Sequence, residues 1–358
     1  MQNVESCKKS DMKKIKIFLG GVINVPNAQN NNCRSIAEYI DKEKFELSAL
    51  QSRRYPIDKN VKINYFIINK PVKLFKYFAF AWGIINSDIS YLPKTECMKW
   101  NRFICRIFKK KYFRTIESVI DKKTAKQKSN IISDYKKTEN LYSITYFMKE
   151  FNEKEFGVTC DEKILYLGVN DKNEMYSLKE KDKLSQVILI GHDLKRKGID
   201  DYIELAKLNE ELVFHVVGSG NGRFNINNIR YKNLKFHGSL SNALLEKLLL
   251  DEDIDLLILP SHVEGFPKVI LECAQKGIPS LLYDSYGASD WIDHGHNGYV
   301  VKDFESMHNI LTSIKANPLS LNKVRVGCLS LYSDFKWSKK IKEWENVIEI
   351  LNDSDKLK

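Results

Sequence analysis

Short strand-like segments alternate with stretches at helical spacing along the whole chain. Residues 14–19 (KIKIFL), 45–50, 61–67 (VKINYFI) and 88–92 (DISYL) read as strands, and 71–86 as a helix between them. An unbroken apolar run suits a parallel strand covered on both faces, where alternate side chains enter opposite cores. Strands separated by helices at this rhythm build a doubly wound α/β sheet. The rhythm continues with a strand near 112–120, a polar helical stretch over 122–137, and strand into helix from 140. KILYLGVND (163–171) reads as the last strand of this half. It restarts with QVILIG (186–191), a helix after residue 198, strands at 212–221 and 234–238, and a helix to 249. Helices at 303–315 and 321–331 follow, and Trp337, Ile341, Trp344 and Ile348 mark the apolar stripe of a final one.

The most informative stretch is 254–283, IDLLILPSHVEGFPKVILECAQKGIPSLLY. It predicts a buried strand to Leu259, a loop, a helix opening near Pro267 and a second buried strand from Ile278. Proline suits a first helical turn, where its missing N–H costs nothing. The remaining amides of that turn can receive an anion. The loop leaves the carboxyl end of a strand, the usual ligand side of an open α/β sheet. Glu264 lies in it and Glu272 follows eight residues later. Taken alone, these could equally be two solvent-facing glutamates of an ordinary βαβ unit.

EGFPKVILE resembles the Glu-x7-Glu element of the retaining glycosyltransferases of family 4, of the type that builds bacterial surface polysaccharides. The resemblance implies the GT-B fold: two Rossmann-like, doubly wound parallel-sheet domains facing across a cleft, with the C-terminal helix crossing back to the first. It implies an N-terminal acceptor-binding domain over 1–170 completed by helix 336–354, a linker at 171–184, and a nucleotide-sugar domain at 185–335. It also assigns roles. Glu264 would contact hydroxyls of the donor sugar and Glu272 its ribose, while the amides around Phe266, Pro267 and Lys268 would hold the phosphates.

Further parts of the pattern fall where the resemblance expects them. The turn after QVILIG carries Lys197 at the family's phosphate-clamping lysine, but His192 stands where an arginine belongs. A neutral imidazole donates one hydrogen bond where arginine offers a charged fork. Arg196 is next to Lys197 and could supply the guanidinium. Gly218 and Gly220 close a Gly-Ser-Gly turn beside the phosphate and base pocket, and Gly238 to Leu240 would border the base. Gly20 and Gly21 end the first strand and, by resemblance, face donor phosphates and acceptor; without it they are a plain strand-to-helix turn. Glu117 is a further candidate on the acceptor side, and Gly287 would lie near the donor.

Charge adds one thing the pattern does not. The chain carries 57 Lys+Arg against 46 Asp+Glu. Residues 1–170 hold 32 against 18, leaving 25 against 28 for the rest, so the excess lies in the first half. Such asymmetry points at an anionic partner. From Lys99 to Arg114 there are seven basic residues and no acid, with Trp100, Phe103, Ile104, Ile107 and Phe108 at helical spacing. This fits an interfacial helix on anionic lipid, and equally a helix whose apolar stripe packs on the sheet beneath a solvated basic face. No recognised nucleic-acid module accompanies the charges, so nucleic acid is not expected.

Seven cysteines, odd in number and without a C-x2-C pair, argue against a disulfide framework or zinc site and suit a reducing cytosol. No signal-peptide core and no span-length apolar window is apparent, so a cytoplasmic protein is expected, peripheral on the inner face of the plasma membrane if the basic helix touches lipid. No P-loop, Rossmann G-x-G-x-x-G, metal-ligand cluster or Ser-His-Asp arrangement is present. The expected reaction is retaining transfer from a nucleotide diphosphate sugar, UDP-linked by preference, to a hydroxyl of a glycan or polyprenyl-diphosphate-linked acceptor. Neither a cofactor nor a metal is expected. The alternatives are a nucleotide-sugar-binding protein without catalysis, suggested by His192, and a GT-B nucleotide-sugar epimerase.

Overall fold

The computed structural model describes residues 13–353 except 60, 62, 71, 95, 121–125, 127, 172–177, 179 and 221–230. Half of the expected linker, 172–177 and 179, falls outside the described residues. The chain forms two compact units. One comprises 1–115, 129–142 and 341–358; the other comprises 116–128 and 143–340.

In the first unit, β1 (Ile15–Val22), β2 (Phe45–Ser52), β3 (Asn64–Ile68), β4 (Ile89–Tyr91), β5 (Lys111–Ile116) and β6 (Leu141–Ser143) form a sheet in the order β3-β2-β1-β4-β5-β6. Helices α1 (Ala28–Tyr39), α2 (Val72–Ile85), α3 (Met98–Ile107) and α4 (Ser129–Lys136) alternate with the strands; α5 (Tyr146–Phe156), which follows β6, belongs to the second unit. Phe18 and Leu50 meet Phe80 and Ile84 of α2 and Ile104 of α3 in one core. Tyr91 and Phe113 meet the indole of Trp344, at centroid distances of 5.2 and 6.3 Å.

The second unit repeats the plan. Strands β7 (Gln186–Asp193), β8 (Val213–Ser219), β9 (Leu234–Gly238), β10 (Leu256–Leu259), β11 (Ser280–Tyr283) and β12 (Tyr299–Val301) are ordered β12-β11-β10-β7-β8-β9. Its helices are α6 (Ile199–Leu208), α7 (Asn242–Asp251), α8 (Val269–Ala274), α9 (Phe304–Ala316) and α10 (Ser320–Asp334). Each sheet therefore runs in the doubly wound order 3-2-1-4-5-6, which reverses direction between its first and fourth strands. The unbroken apolar runs are explained by residue parity. Leu256, Ile258, Val187 and Leu189 enter a core with Tyr202 of α6 and Leu311 of α9. Their neighbours Leu257, Leu259, Ile188 and Ile190 enter another with Leu271 of α8 and Leu331 of α10.

Helix α11 (Trp337–Asp353) carries the expected stripe: Trp337, Ile341, Trp344 and Ile348 are all buried. Its residues from Ile341 onward belong to the first compact unit. There Glu345 accepts a 2.8 Å hydrogen bond from the Asp41 amide, and Lys44 pairs with Glu349 at 2.9 Å.

Three local expectations are corrected. β1 does not end at the glycine pair but continues through it to Val22, with a register irregularity after Leu19. The pair is dictated by packing: a Cβ on Gly20 would lie 3.0 Å from the Tyr91 carbonyl oxygen, and one on Gly21 2.6 Å from Cys33 Sγ. KILYLGVND is not a strand and makes only single bridges, Ser143 to Ile164 and Val169 to Lys336. Its backbone partner changes midway, from Ser143 to the α10–α11 junction, so no ladder develops. Finally, α8 begins at Val269, two residues beyond Pro267, and is six residues long.

Candidate functional site

In the second unit the direction of strand order reverses between β7 and β10, and His192, Arg196, Lys197 and Glu264 lie at or just beyond the carboxyl ends of these strands. β7 ends in His192 and Asp193, and a turn over 194–198 leads into α6. β10 ends at Leu259 and passes through Pro260 into the loop that carries Glu264. The two segments press together. Gly198, at φ +80°, caps α6 so close to β10 that a Cβ would lie 1.9 Å from the Pro260 carbonyl oxygen. That is far inside contact distance, so the α6 entry is fixed against the strand.

This contact sets the central cluster. Lys197 and Glu264 are both buried, and Lys197 Nζ donates to Glu264 Oε1 across 2.8 Å. Arg196 Nη1 donates to Glu264 Oε2 at 2.9 Å and to the Val263 carbonyl at 3.0 Å. Ser261 Oγ lies 2.7 Å from Glu264 Oε1 and 2.9 Å from the Arg196 carbonyl. One carboxylate thus holds two cations side by side. Burial lowers the pKa of Lys197, opposed first by the charge of Glu264 and then by their hydrogen bond. Arg196, whose orientation sequence left open, points at Glu264 beside Lys197. Its side chain remains about half exposed.

His192 is exposed at the end of β7, its Nδ1 3.4 Å from Ser219 Oγ. Gly218 stands at φ +140°, where a Cβ would come within 1.7 Å of the Gly191 carbonyl oxygen, so β8 closes tightly on the end of β7. Gly220 is buried just beyond β8. Gly238 ends β9 at φ +67°, and Leu240 is half-buried against the core on the α8 side. Gly20 and Gly21 belong to the first unit, within β1, and are not part of this cluster.

Beyond Glu264 the loop is anchored by its own aromatic residue. Phe266 stacks near Trp291, Phe335 and Tyr166 at centroid distances of 4.9, 5.7 and 6.1 Å. Gly265 passes close to the chain, where a Cβ would meet the Glu117 carbonyl oxygen at 2.5 Å. Glu117 thereby belongs to this surroundings. Its charge and that of Glu272 oppose the burial that pulls the Lys268 ammonium down to about 8. Pro267 is buried and has no N–H, so it positions the loop without donating to an anion. Glu272 projects into solvent from α8.

Three residues of the site were not anticipated. Ser261 braces Glu264 from the first position after Pro260. Gly191 leaves room for the Lys197 stem: a Cβ there would sit 2.4 Å from Lys197 Cγ. Tyr286 is fully buried with no hydrogen-bond partner for its hydroxyl among the described residues, and burial holds that hydroxyl far above its ordinary range. The glycine before His192 was the signal available for Gly191. Nothing in the sequence marks the other two. Among the described residues no group of three or more His, Cys, Asp or Glu could hold a metal ion.

Two doubly wound units of the same strand order are the plan of the GT-B fold. Residues 170–325 match the model of the family Glycosyl transferases group 1, a segment that contains all of the central cluster. The chain is 26% identical over 186 residues to an uncharacterized glycosyltransferase of Haemophilus influenzae, covering 49% of this chain and 51% of that protein. It is 26% identical over 155 residues to the O-antigen biosynthesis glycosyltransferase WclY of Escherichia coli, covering 43% of each. The chain therefore spans about half the length of these two curated relatives. The crystal structure of Anabaena HepE in complex with UDP and glucose superposes with a TM-score of 0.71 at 12% identity, over 94% of this chain and 99% of that one. That similarity is one of fold.

Proposed function

We propose that the chain transfers a sugar from a nucleotide diphosphate sugar, UDP-linked by preference, to a hydroxyl of a glycan or lipid-linked glycan, with retention of anomeric configuration. The setting is synthesis of a surface polysaccharide such as capsule, O-antigen or exopolysaccharide. One observation carries this reading: Lys197 and Arg196 held on Glu264 at the β7–β10 switch point, inside the segment that matches the glycosyl transferase family. The O-antigen role of WclY and the UDP and glucose bound in HepE support the acceptor class and the donor.

In this reading the bond from the anomeric carbon to the phosphate oxygen breaks, and a bond to the acceptor oxygen forms on the same face of the sugar. The acceptor's proton passes to an oxygen of the departing phosphate. Negative charge grows on the diphosphate, and Lys197 and Arg196 meet it from fixed positions. One such preorganised donor is typically worth ~10²–10³ in rate. Glu264 orients the pair and takes donor-sugar hydroxyls, while Glu272 holds the ribose. His192 adds one hydrogen bond, and the amides of Phe266 and Lys268 add others from the loop. The two cations supply the charge compensation for the leaving group, so the reading requires no metal.

Calorimetry with UDP- and GDP-sugars, together with acceptor-dependent nucleotide release, tests the assignment. Lys197→Ala and Glu272→Ala should each abolish nucleotide release with an unchanged far-UV dichroism spectrum. Full release in both variants would overturn the site. Tight binding by the unaltered chain with no turnover on any glycan acceptor would instead support a non-catalytic binder, and sugar inversion without acceptor an epimerase. Product analysis by NMR reads retention directly.

A further inference from the structure

We infer that the outer face of α2 and α3 in the first unit docks on an anionic lipid surface. The sequence presented one amphipathic stripe on α3 with two competing uses, and the structure divides it. Met98, Asn101, Ile104 and Cys105 turn inward and are buried. Phe103 and Ile107 turn outward, 53% and 55% exposed, and Phe108 after the helix is 45% exposed. Packing onto the sheet is therefore complete without them.

α2 continues the outward strip. Trp100 Nε1 donates to the Tyr77 carbonyl at 3.0 Å, and its ring lies 5.8 Å from those of both Tyr77 and Phe103. Leu74 and Phe78, one helical turn apart, are 54% and 60% exposed. The apolar strip thus crosses two helices instead of being a scatter of single side chains, which is the distinction that marks an interaction surface. Around it Lys73, Lys99, Arg106 and Lys109 are exposed, and no ion pair holds any of them among the described residues. By contrast, Lys76 is engaged by Glu96, and Arg102 by Asp134 at 2.8 Å.

Charge decides between the two occupants such a face could have. A second copy packed by two-fold symmetry would set the same unpaired cations against each other. An anionic bilayer complements them while its acyl boundary takes the aromatic and aliphatic side chains. Among the described residues no helix is long and apolar enough to cross a membrane, so docking would be peripheral. This inference does not depend on the transfer chemistry, which resides in the other unit.

Vesicle flotation with the full chain is the test, using phosphatidylcholine alone and phosphatidylcholine doped with phosphatidylglycerol. Binding is expected only to the doped vesicles and is expected to weaken with salt. Phe103→Ser with Ile107→Ser should reduce it at least roughly tenfold. Lys99→Gln, Arg106→Gln and Lys109→Gln together should reduce it roughly a hundredfold, since each near-surface cation contributes about fivefold. Both variants should keep wild-type affinity for the nucleotide sugar, which separates failure here from failure of the donor site. No flotation at low salt, or equal flotation of the serine variant, would overturn the inference. So would a dimer in sedimentation that the serine pair splits without any vesicle binding.

Discussion

Glu264→Gln isolates the pair on which the candidate site is built. The substitution keeps size and shape but removes the charge that Lys197 Nζ meets at 2.8 Å and Arg196 Nη1 at 2.9 Å. The two losses are unequal. The side chains of Lys197 and Glu264 are 9% and 5% exposed, so the variant strands a buried ammonium against an amide. Breaking a buried pair from one side costs about 3–5 kcal/mol. The Arg196 side chain is 46% exposed and can turn to solvent, so its share stays below about 1 kcal/mol. For a unit of roughly 200 residues, about 4 kcal/mol lowers the melting temperature by roughly 12 °C. Lys197→Met should be milder, about 1–3 kcal/mol, because Glu264 keeps Arg196 and Ser261 as donors. The double variant contains no stranded buried ammonium and should be little worse than Lys197→Met alone. Calorimetric unfolding of the four proteins therefore yields a coupling of about 3–4 kcal/mol. Additive effects, within about 0.5 kcal/mol, would refute the claim that the two residues act as one buried unit.

Two further outcomes follow from the same geometry. Gly191→Ala should lower nucleotide affinity at least roughly tenfold without altering the dichroism spectrum, since its methyl would occupy the path of the Lys197 stem; added to Lys197→Ala it should cost nothing more, which titration calorimetry would show. A third prediction concerns pH. His215 is fully buried, with Nδ1 2.9 Å from His237 Nε2 and Nε2 2.8 Å from Gln186 Oε1, and burial lowers it from 6.5 to about 4. The unfolded chain takes up this proton first, so the contribution is fully present above pH 6.5 and is lost as pH falls toward 4. Allowing for screening at the half-exposed His237 side, about 2 kcal/mol should disappear over that window. Urea unfolding from pH 7 to 4 should show a slope that His215→Gln flattens.

The sequence by itself determined the strands, the helices and the order in which they come. An unbroken run such as LLIL can be stable only where both faces of a strand are covered, so burial, parallel pairing and doubly wound topology were all legible in it. Glu264, Glu272 and Lys197 were singled out by the resemblance that their local motifs carry, and the structure brings Lys197 and Glu264 together. What the sequence left open was decided by neighbours distant along the chain. Gly20 and Gly21 read as a turn, yet the space they vacate is filled by Tyr91 and Cys33. KILYLGVND has the composition of a strand but no continuous partner to ladder with. Arg196 could have pointed anywhere until β10 brought Glu264 within reach of it. The stripe on α3 specified which positions are apolar, whereas only the packed sheet could determine that Ile104 turns in and Phe103 out. Periodicity fixes a side chain's phase around its own element; which phase meets another element is settled only when the elements pack.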